Sequence, residues 1–251
     1  MEVIFVLLFG FCIGSFLNVC IYRIPREESI SFPTSHCTRC RYELKAKDLV
    51  PILSYVFLRG KCRSCKEKIS IKYPLVEIVN ALLYVVIYLN YGLGIEFFKF
   101  SLFASLMIVI GFIDFETKYV FNSTVIFGIA SGIIFLIFEW IITKNFPLTN
   151  IVGTAIGVSV MWAIVVLTGE MGEGDIDIAL ICGLFLGIKG IIVTIFLATI
   201  SGGLVGGIIL LLKLKGRKDE IAFGPYLSIG GIIASIYASE LISYYFGLFW
   251  W

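Results

Sequence analysis

The sequence predicts an all-α polytopic membrane protein, with about eight transmembrane helices and a small cytosolic four-cysteine domain inserted after the first helix. Hydrophobic residues make up 59% of the 251 residues, charged residues make up 15%, and the mean hydropathy is +0.99. These values exceed what the core of a soluble domain needs. One long polar stretch interrupts the apolar runs and holds two Cys-x-x-Cys pairs. The predicted domains are a first helix at 1–22, the four-cysteine domain at 23–73 and a membrane core of about seven helices at 74–251.

The first apolar run, residues 3–22, is predicted to be a retained membrane span. Glu2 precedes it, and Arg23 and Arg26 follow it. A cleaved signal peptide has the opposite charge order and a small-residue cleavage site, which this run lacks. We therefore expect the N-terminus to lie outside.

Seven further apolar runs are predicted to cross the membrane, since a helical span needs roughly 20 apolar residues to cross about 30 Å of hydrocarbon. The sixth span is short, and only Lys189-Gly190 separates it from the seventh. The predicted runs are 74–91, 97–113, 120–142, 150–168, 176–188, 191–212 and 226–246.

The distribution of lysine and arginine predicts the orientation of these spans. With the N-terminus outside, the segments predicted inside are 23–73, 114–119, 169–175 and 213–225, and they hold 17 of the 20 lysines and arginines. Cytoplasmic loops of membrane proteins carry this excess. The four-cysteine domain is therefore expected on the cytosolic side.

The cysteines in the polar stretch have the spacing of a metal site. Two Cys-x-x-Cys pairs stand 21 residues apart, which suits four thiolates around one tetrahedral zinc ion. A reducing cytosol disfavours disulfides. Four protein ligands leave no open position, so the zinc is predicted to be structural. The predicted ligands are Cys37, Cys40, Cys62 and Cys65.

The stretch GEMGEGDIDIAL, residues 169–180, clusters Glu170, Glu173, Asp175 and Asp177 beside apolar runs. Asp175 begins the sixth predicted span and Asp114 ends the third, so both lie at cytosolic helix ends at similar depth. An ionisable group in a membrane helix is a candidate functional residue. Two neighbouring carboxylates share a proton, and the ionised member can then activate water while the protonated member polarises a carbonyl group. This pattern predicts an aspartic protease.

The residues around Asp175 are candidates for substrate binding. Gly172 and Gly174 allow close approach of a substrate backbone. Asp177 points to a different helix face from Asp175, and is either solvated or binds basic substrate residues. The helix dipole alone also favours acidic residues here, and a carboxylate metal site is a further alternative.

Several stretches together resemble the type IV prepilin peptidase family, and the similarity covers nearly the whole chain in the family's order. The paired Cys-x-x-Cys motifs belong to this set. The other stretches are GSFLNVCIYRIP at 14–25, DLVPILSYVFLRGKCRSC at 48–65, ISIKYPLVE at 69–77, ID at 113–114, GEGD at 172–175 and FGPYL at 223–227.

The resemblance implies a membrane aspartic endopeptidase of the bacterial inner membrane that acts at the cytosolic face, with Asp114 and Asp175 as catalytic residues. Its substrates would be prepilins and pseudopilins, cut after a short basic leader. It also implies N-methylation of the new N-terminal residue with S-adenosylmethionine, for which Glu77 is a candidate residue. The alternative for Glu77 is an interfacial carboxylate paired with Lys72. The partners expected are these substrates and the lipid bilayer, and no nucleic acid.

The chain departs from the family pattern at two places. Many family members have Pro-Asp shortly after the first aspartate, where this chain has Phe121-Asn122. Many also have a lysine two residues after the second aspartate, where this chain has Asp177. A negative charge at Asp177 is expected to favour a basic leader.

Two alternatives from other functional classes remain at this stage. An ion-coupled transporter would use the two aspartates as a relay, although relay carboxylates usually lie near the bilayer midplane. A membrane-tethered zinc scaffold would give the carboxylates no role.

Overall fold

The structure is a computed structural model that describes residues 1–169, 172–212 and 222–249. These residues form eight α-helices and no β-strand, apart from two isolated β-bridges in the four-cysteine domain. The helices are α1 (Glu2–Arg23), α2 (Leu53–Phe57), α3 (Lys72–Tyr91), α4 (Ile95–Thr117), α5 (Asn122–Thr143), α6 (Leu148–Thr168), α7 (Gly174–Leu211) and α8 (Gly224–Phe249).

Within the described residues, seven helices are long and apolar enough to cross a membrane, all except the five-residue α2. The prediction of an all-α polytopic membrane protein is confirmed. These seven helices coincide approximately with the predicted segments. The 38 residues of α7 cover both the sixth and the seventh predicted spans.

Helix α7 consists of two segments that run in opposite directions. Gly187 breaks the helix with φ 67° and ψ −168°, two residues before the expected break. An ideal Cβ on Gly157 of α6 would lie 3.0 Å from the Ala179 carbonyl oxygen and 2.8 Å from Ile191 Cγ1. In a straight helix those two residues would stand roughly 18 Å apart. The chain therefore turns back at Gly187, which makes about eight apolar segments.

The chain divides into two compact units, Met1–Ser101 and the remainder from Leu102. In the first unit, α1 packs on α3 through small residues. An ideal Cβ on Gly10 would lie 2.6 Å from Ala81 Cα, and the Asn80 side chain donates a 2.8 Å hydrogen bond to the Gly10 carbonyl. Small residues and interhelical hydrogen bonds are the usual means of helix association in a membrane.

The second unit is built around the first segment of α7. Its core joins side chains of α4, α5, α6, α7 and α8, and Ile178, Ile181 and Phe185 of α7 are completely or almost completely buried in it. Side chains of several other helices therefore pack against this segment, and this packing fixes the position of Asp175 at its start.

Candidate active site and metal centre

Asp114 and Asp175 lie together in the second unit although they are far apart in the sequence. Asp114 stands in the last turn of α4 and Asp175 in the first turn of α7. Their exposed fractions are only 5% and 6%, and the two carboxylates are close enough to repel each other electrostatically. Among the described residues neither forms an ion pair. We call these two residues the acid pair.

The start of α8 closes the site beside Asp114. An ideal Cβ on Gly224 would lie 2.6 Å from Asp114 Oδ2 and 2.9 Å from Ile178 Cδ1. A side chain at position 224 would displace the carboxyl group of Asp114, so only glycine fits there. Oδ2 is buried and has no hydrogen-bond partner in the described ranges, so it remains available to a proton, a water molecule or a substrate group.

Gly172 and Gly174 differ in their surroundings. An ideal Cβ on Gly174 would lie 2.7 Å from Val120 Cγ2, so packing alone excludes a side chain there. At Gly172 the nearest atom, the Gly174 nitrogen, is 4.0 Å from such a Cβ, and the residue is exposed. Among the described residues none crowds Gly172, and the substrate-binding role of both glycines stays a prediction.

The other acidic residues of this stretch lie outside the acid pair. Asp177 is half-buried and interacts electrostatically with the exposed Glu173. Glu170 lies outside the described residues. A role for Asp177 in binding a basic leader stays a prediction.

Ser228 is a polar neighbour that sequence reasoning missed. It stands one turn after Gly224, and its Oγ would lie 3.2 Å from an ideal Cβ on Gly111, one turn before Asp114. The hydroxyl is buried and has no hydrogen-bond partner within the described part of the chain. In the sequence, only the position of Ser228 directly after the FGPYL motif could have pointed to this residue.

Cys37, Cys40, Cys62 and Cys65 form a compact cluster in the first unit. All four Sγ atoms lie within 4.8 Å of one another, with 3.9 Å between Cys37 and Cys65 and 4.0 Å between Cys40 and Cys62. Four thiolates about 2.3 Å from one zinc ion stand roughly 3.8 Å apart in a tetrahedron. The cluster therefore fits a tetrahedral metal ion. His36 adjoins Cys37, and its imidazole Nδ1 lies 3.0 Å from the Thr34 carbonyl oxygen.

Two similar turns hold the cysteines. In each, the amide of the first cysteine donates to a carbonyl five residues later, Cys37 to Tyr42 and Cys62 to Glu67. The residue after the second cysteine has a positive φ, 56° at Arg41 and 61° at Lys66. The same type of turn therefore occurs twice, and each turn places two thiols in the four-cysteine cluster.

The thiols of the cluster change one another's pKa values. The hydrogen bond with the Glu67 backbone lowers the pKa of the Cys65 thiol, but burial and the neighbouring thiols outweigh it, so the pKa is raised to about 11. Metal binding displaces such protons. Nearby, Asp48 accepts a 2.7 Å hydrogen bond from Arg63. Burial opposes its ionisation, but Arg63 holds the pKa of Asp48 below its ordinary value.

Glu77 lies in the first unit, near the start of α3. Its exposed fraction is 8%, and Oε2 accepts a 2.8 Å hydrogen bond from the Ile52 amide. This bond ties α3 to the loop that begins α2. The predicted part of Glu77 in methyl transfer stays a prediction.

The fold and these sites define a multi-pass membrane protein with a buried carboxylate pair and a four-cysteine cluster. Residues 8–91 match the family profile described as Bacterial Peptidase A24 N-terminal domain. Residues 101–208 match the Type IV leader peptidase family. The chain belongs to the type IV leader peptidase family, as its motifs predicted, and it is an enzyme.

Curated relatives agree with this assignment over most of their length. The prepilin leader peptidase/N-methyltransferase of Bacillus subtilis (strain 168) is 32% identical over 95% of this chain and 95% of its own. The protein of the same name from Neisseria gonorrhoeae is 34% identical over 89% and 86%, and that from Pseudomonas putida is 31% identical over 92% and 89%. No solved structure gives a significant match. Nothing in these comparisons supports the transporter alternative.

Proposed function

We propose that this enzyme is a membrane aspartic endopeptidase that removes the basic leader from type IV prepilins and pseudopilins at the cytosolic membrane face. The observation that carries the proposal is the acid pair: two buried carboxylates from distant helices that repel each other in one apolar unit. Bringing like charges together in an apolar environment is unfavourable unless they share a proton. Proteins retain such an arrangement where it has a chemical use.

In the proposed mechanism the ionised aspartate of the pair removes a proton from a water molecule. The resulting hydroxide attacks the carbonyl carbon of the scissile peptide bond, while the protonated aspartate donates its proton to the carbonyl oxygen. The tetrahedral intermediate then collapses. The carbon–nitrogen bond breaks and its electron pair stays on nitrogen, which takes the proton that the first aspartate removed from water. A hydroxyl group of the intermediate returns its proton to the other aspartate, so the acid pair is restored and the new carboxylic acid forms.

The proposed substrate class matches the charge and the space around the acid pair. A prepilin carries a basic leader before an apolar helix, so its cleavage site lies at the membrane interface. Asp177 supplies negative charge for the leader, and the exposed Gly172 leaves room for an extended backbone. The cytosolic orientation rests on the 17 of 20 lysines and arginines in the segments predicted inside.

We further propose that the enzyme methylates the new N-terminus, as the names of its relatives imply for them. The neutral amine of the cleaved pilin attacks the methyl carbon of S-adenosylmethionine. The carbon–sulfur bond breaks with its electron pair on sulfur, and the amine releases one proton to solvent. One structural zinc ion on Cys37, Cys40, Cys62 and Cys65 would hold the cysteine turns in place.

The acid pair can be tested with purified protein and a prepilin substrate, with mass spectrometry of the product. Asp114→Asn and Asp175→Asn should each lower kcat/KM for leader removal by at least about 100-fold, because proton transfer in the transition state supplies about that much. Glu173→Gln is the matched control, since it removes an exposed carboxylate two residues from Asp175, and it should cleave normally. Full cleavage by either asparagine variant would refute the proposed mechanism.

A further inference from the structure

Ser228 has a buried hydroxyl group to which the proposed mechanism gives no role. The residue lies one turn into α8, and its exposed fraction is only 3%. Its Oγ has no hydrogen-bond partner in the described ranges. An unpaired hydroxyl is unfavourable inside a protein, so a group of this kind usually binds a water molecule or takes part in catalysis.

The direction of this hydroxyl differs from that of three other serines in the membrane helices. Ser131, Ser201 and Ser235 each donate a 2.7 Å hydrogen bond to a backbone carbonyl three or four residues earlier in their own helix. Ser228 forms no such bond within the described part of the chain. Its Oγ lies instead against α4, at the place where Gly111 has no side chain. The hydroxyl therefore faces the interface between α4 and α8.

The unpaired oxygen of Asp114 lies at the same interface. Gly224 of α8 lies against Asp114 Oδ2. Ser228 lies against Gly111, so α4 and α8 run antiparallel here. The two contacts are three residues apart on α4 and four residues apart on α8, which offsets the two unpaired oxygens by roughly 5 Å along the helices. Two hydrogen bonds through one water molecule span up to about 5.5 Å. One water molecule can therefore reach both oxygens.

We propose that Ser228 is a positioning residue for Asp114, and that it acts through one water molecule bound between its hydroxyl and Asp114 Oδ2. Ser228 donates a hydrogen bond to this water, and the water donates one to the carboxyl oxygen. The second bond holds the carboxyl group in the orientation that cleavage needs, in the proposed endopeptidase function on which this inference rests. Ser228 lies one turn further into the helices than the acid pair, so this water is distinct from the one that attacks the peptide bond.

The first test is steady-state cleavage of a prepilin by the full-length enzyme and its variants. Ser228→Ala should lower kcat at least about tenfold, because a hydrogen bond to a charged group contributes that much. KM should change less than about twofold, since the lost interaction does not bind substrate. Ser228→Cys nearly keeps the volume of the side chain but offers only a weak donor, so it should show the same loss.

Ser235→Ala is the matched control for these variants. Ser235 belongs to the same helix and is equally buried, with an exposed fraction of 3%. Its hydroxyl donates to the Ile232 carbonyl in its own helix. Removing this hydroxyl should leave kcat and KM at their wild-type values.

Infrared spectroscopy of the resting enzyme provides a second measurement, which does not depend on turnover. The carboxyl bands of the acid pair are those that disappear in Asp114→Asn or Asp175→Asn. Their frequency should change in Ser228→Ala, because the carboxyl group loses a hydrogen bond, and should stay unchanged in Ser235→Ala. A lower kcat with unchanged carboxyl bands would give Ser228 a purely structural role and overturn the proposal.

The kinetic outcomes separate this proposal from the endopeptidase mechanism. Wild-type kcat in Ser228→Ala or in Ser228→Cys would overturn the positioning role. If Asp114→Asn is inactive while Ser228→Ala cleaves normally, only the positioning role fails. If Asp114→Asn cleaves at the wild-type rate, the endopeptidase mechanism fails and the role of Ser228 fails with it.

Discussion

At the residue scale, the contact between Gly224 and Asp114 limits the active site most sharply. Gly224→Ala would place a methyl group 2.6 Å from Asp114 Oδ2 and 2.9 Å from Ile178 Cδ1. Either the carboxylate or the start of α8 must move. We expect leader cleavage to fall at least about tenfold in kcat, because a displacement of about 1 Å costs catalysis heavily. The assay is single-turnover cleavage of a prepilin.

The control for this prediction is Gly203→Ala, since no atom of the described residues lies within 4 Å of a Cβ at Gly203. It should cleave at the wild-type rate and gain slightly in stability from the higher helix propensity of alanine. Cleavage by Gly224→Ala at the wild-type rate would mean that the Asp114 carboxylate does not need its present position.

The sequence was sufficient to predict the acid pair and the cysteine cluster, because each has a strong local signal. A carboxylate at a membrane helix end and a Cys-x-x-Cys pair stand out from their surroundings. Gly224 and Ser228 were not assigned a role, although FGPYL was noticed. Their importance comes from packing against Asp114 and Gly111 of a distant helix, and contact between distant helices leaves no local pattern in a single sequence.

At the element scale, the turn within α7 depends on the backbone of Gly187. Its φ of 67° and ψ of −168° fall in a region that is accessible essentially only to glycine. A Cβ there would have room, since the nearest atom, in Thr149, is 3.5 Å away. Gly187→Ala should therefore destabilise the fold by about 1–3 kcal/mol through backbone strain alone.

Thermal unfolding in detergent measures this effect. Gly207→Ala is the matched control, since Gly207 is a helical position of α7 where a Cβ would have no atom of the described chain within 4 Å. It should leave the midpoint unchanged or raised. An unchanged midpoint in Gly187→Ala would show that alanine adopts the turn without strain. The sequence located this break only to within two residues, because Lys189-Gly190 offers an equally good local signal.

The four-cysteine domain is predicted to depend on its metal ion for structure. Between 27 and 70 the only buried apolar side chain is Cys62, with an exposed fraction of 4%. So small a core cannot hold the segment folded without an additional constraint. Removing zinc with a chelator should make residues 27–70 sensitive to protease while the membrane helices stay intact.

Mass spectrometry of the proteolytic fragments locates the cuts, and metal analysis counts zinc per chain. Cys62→Ser should reproduce the effect of the chelator, and Cys12→Ser, in an exposed position on α1, should not. Continued protease resistance in metal-free protein would argue for a stabilising contribution from elsewhere in the first unit.

At the scale of the whole molecule, the distribution of positive charge and the order of the helices predict the same membrane topology. The described part of the chain has seven membrane-length helices, and because α7 reverses at Gly187 they give an even number of apolar segments. With the N-terminus outside, the alternation of spans predicts that one side of the membrane holds the ends of α1, α4 and α6 and the starts of α3, α5, α7 and α8. In this predicted topology the segments on that side carry most of the positive charge, and the positive-inside rule predicts that the side is cytosolic.

This topology predicts which loops a membrane-impermeant thiol reagent reaches in intact cells. Asn145→Cys, in the loop between α5 and α6, should be labelled from outside. Glu28→Cys, at the start of the four-cysteine domain, should be labelled only after permeabilisation, and the wild-type protein should resist labelling in intact cells. The reverse pattern would put the acid pair outside, where the basic leader of an unprocessed prepilin is absent. The endopeptidase proposal therefore requires Asn145 and the acid pair on opposite sides of the membrane.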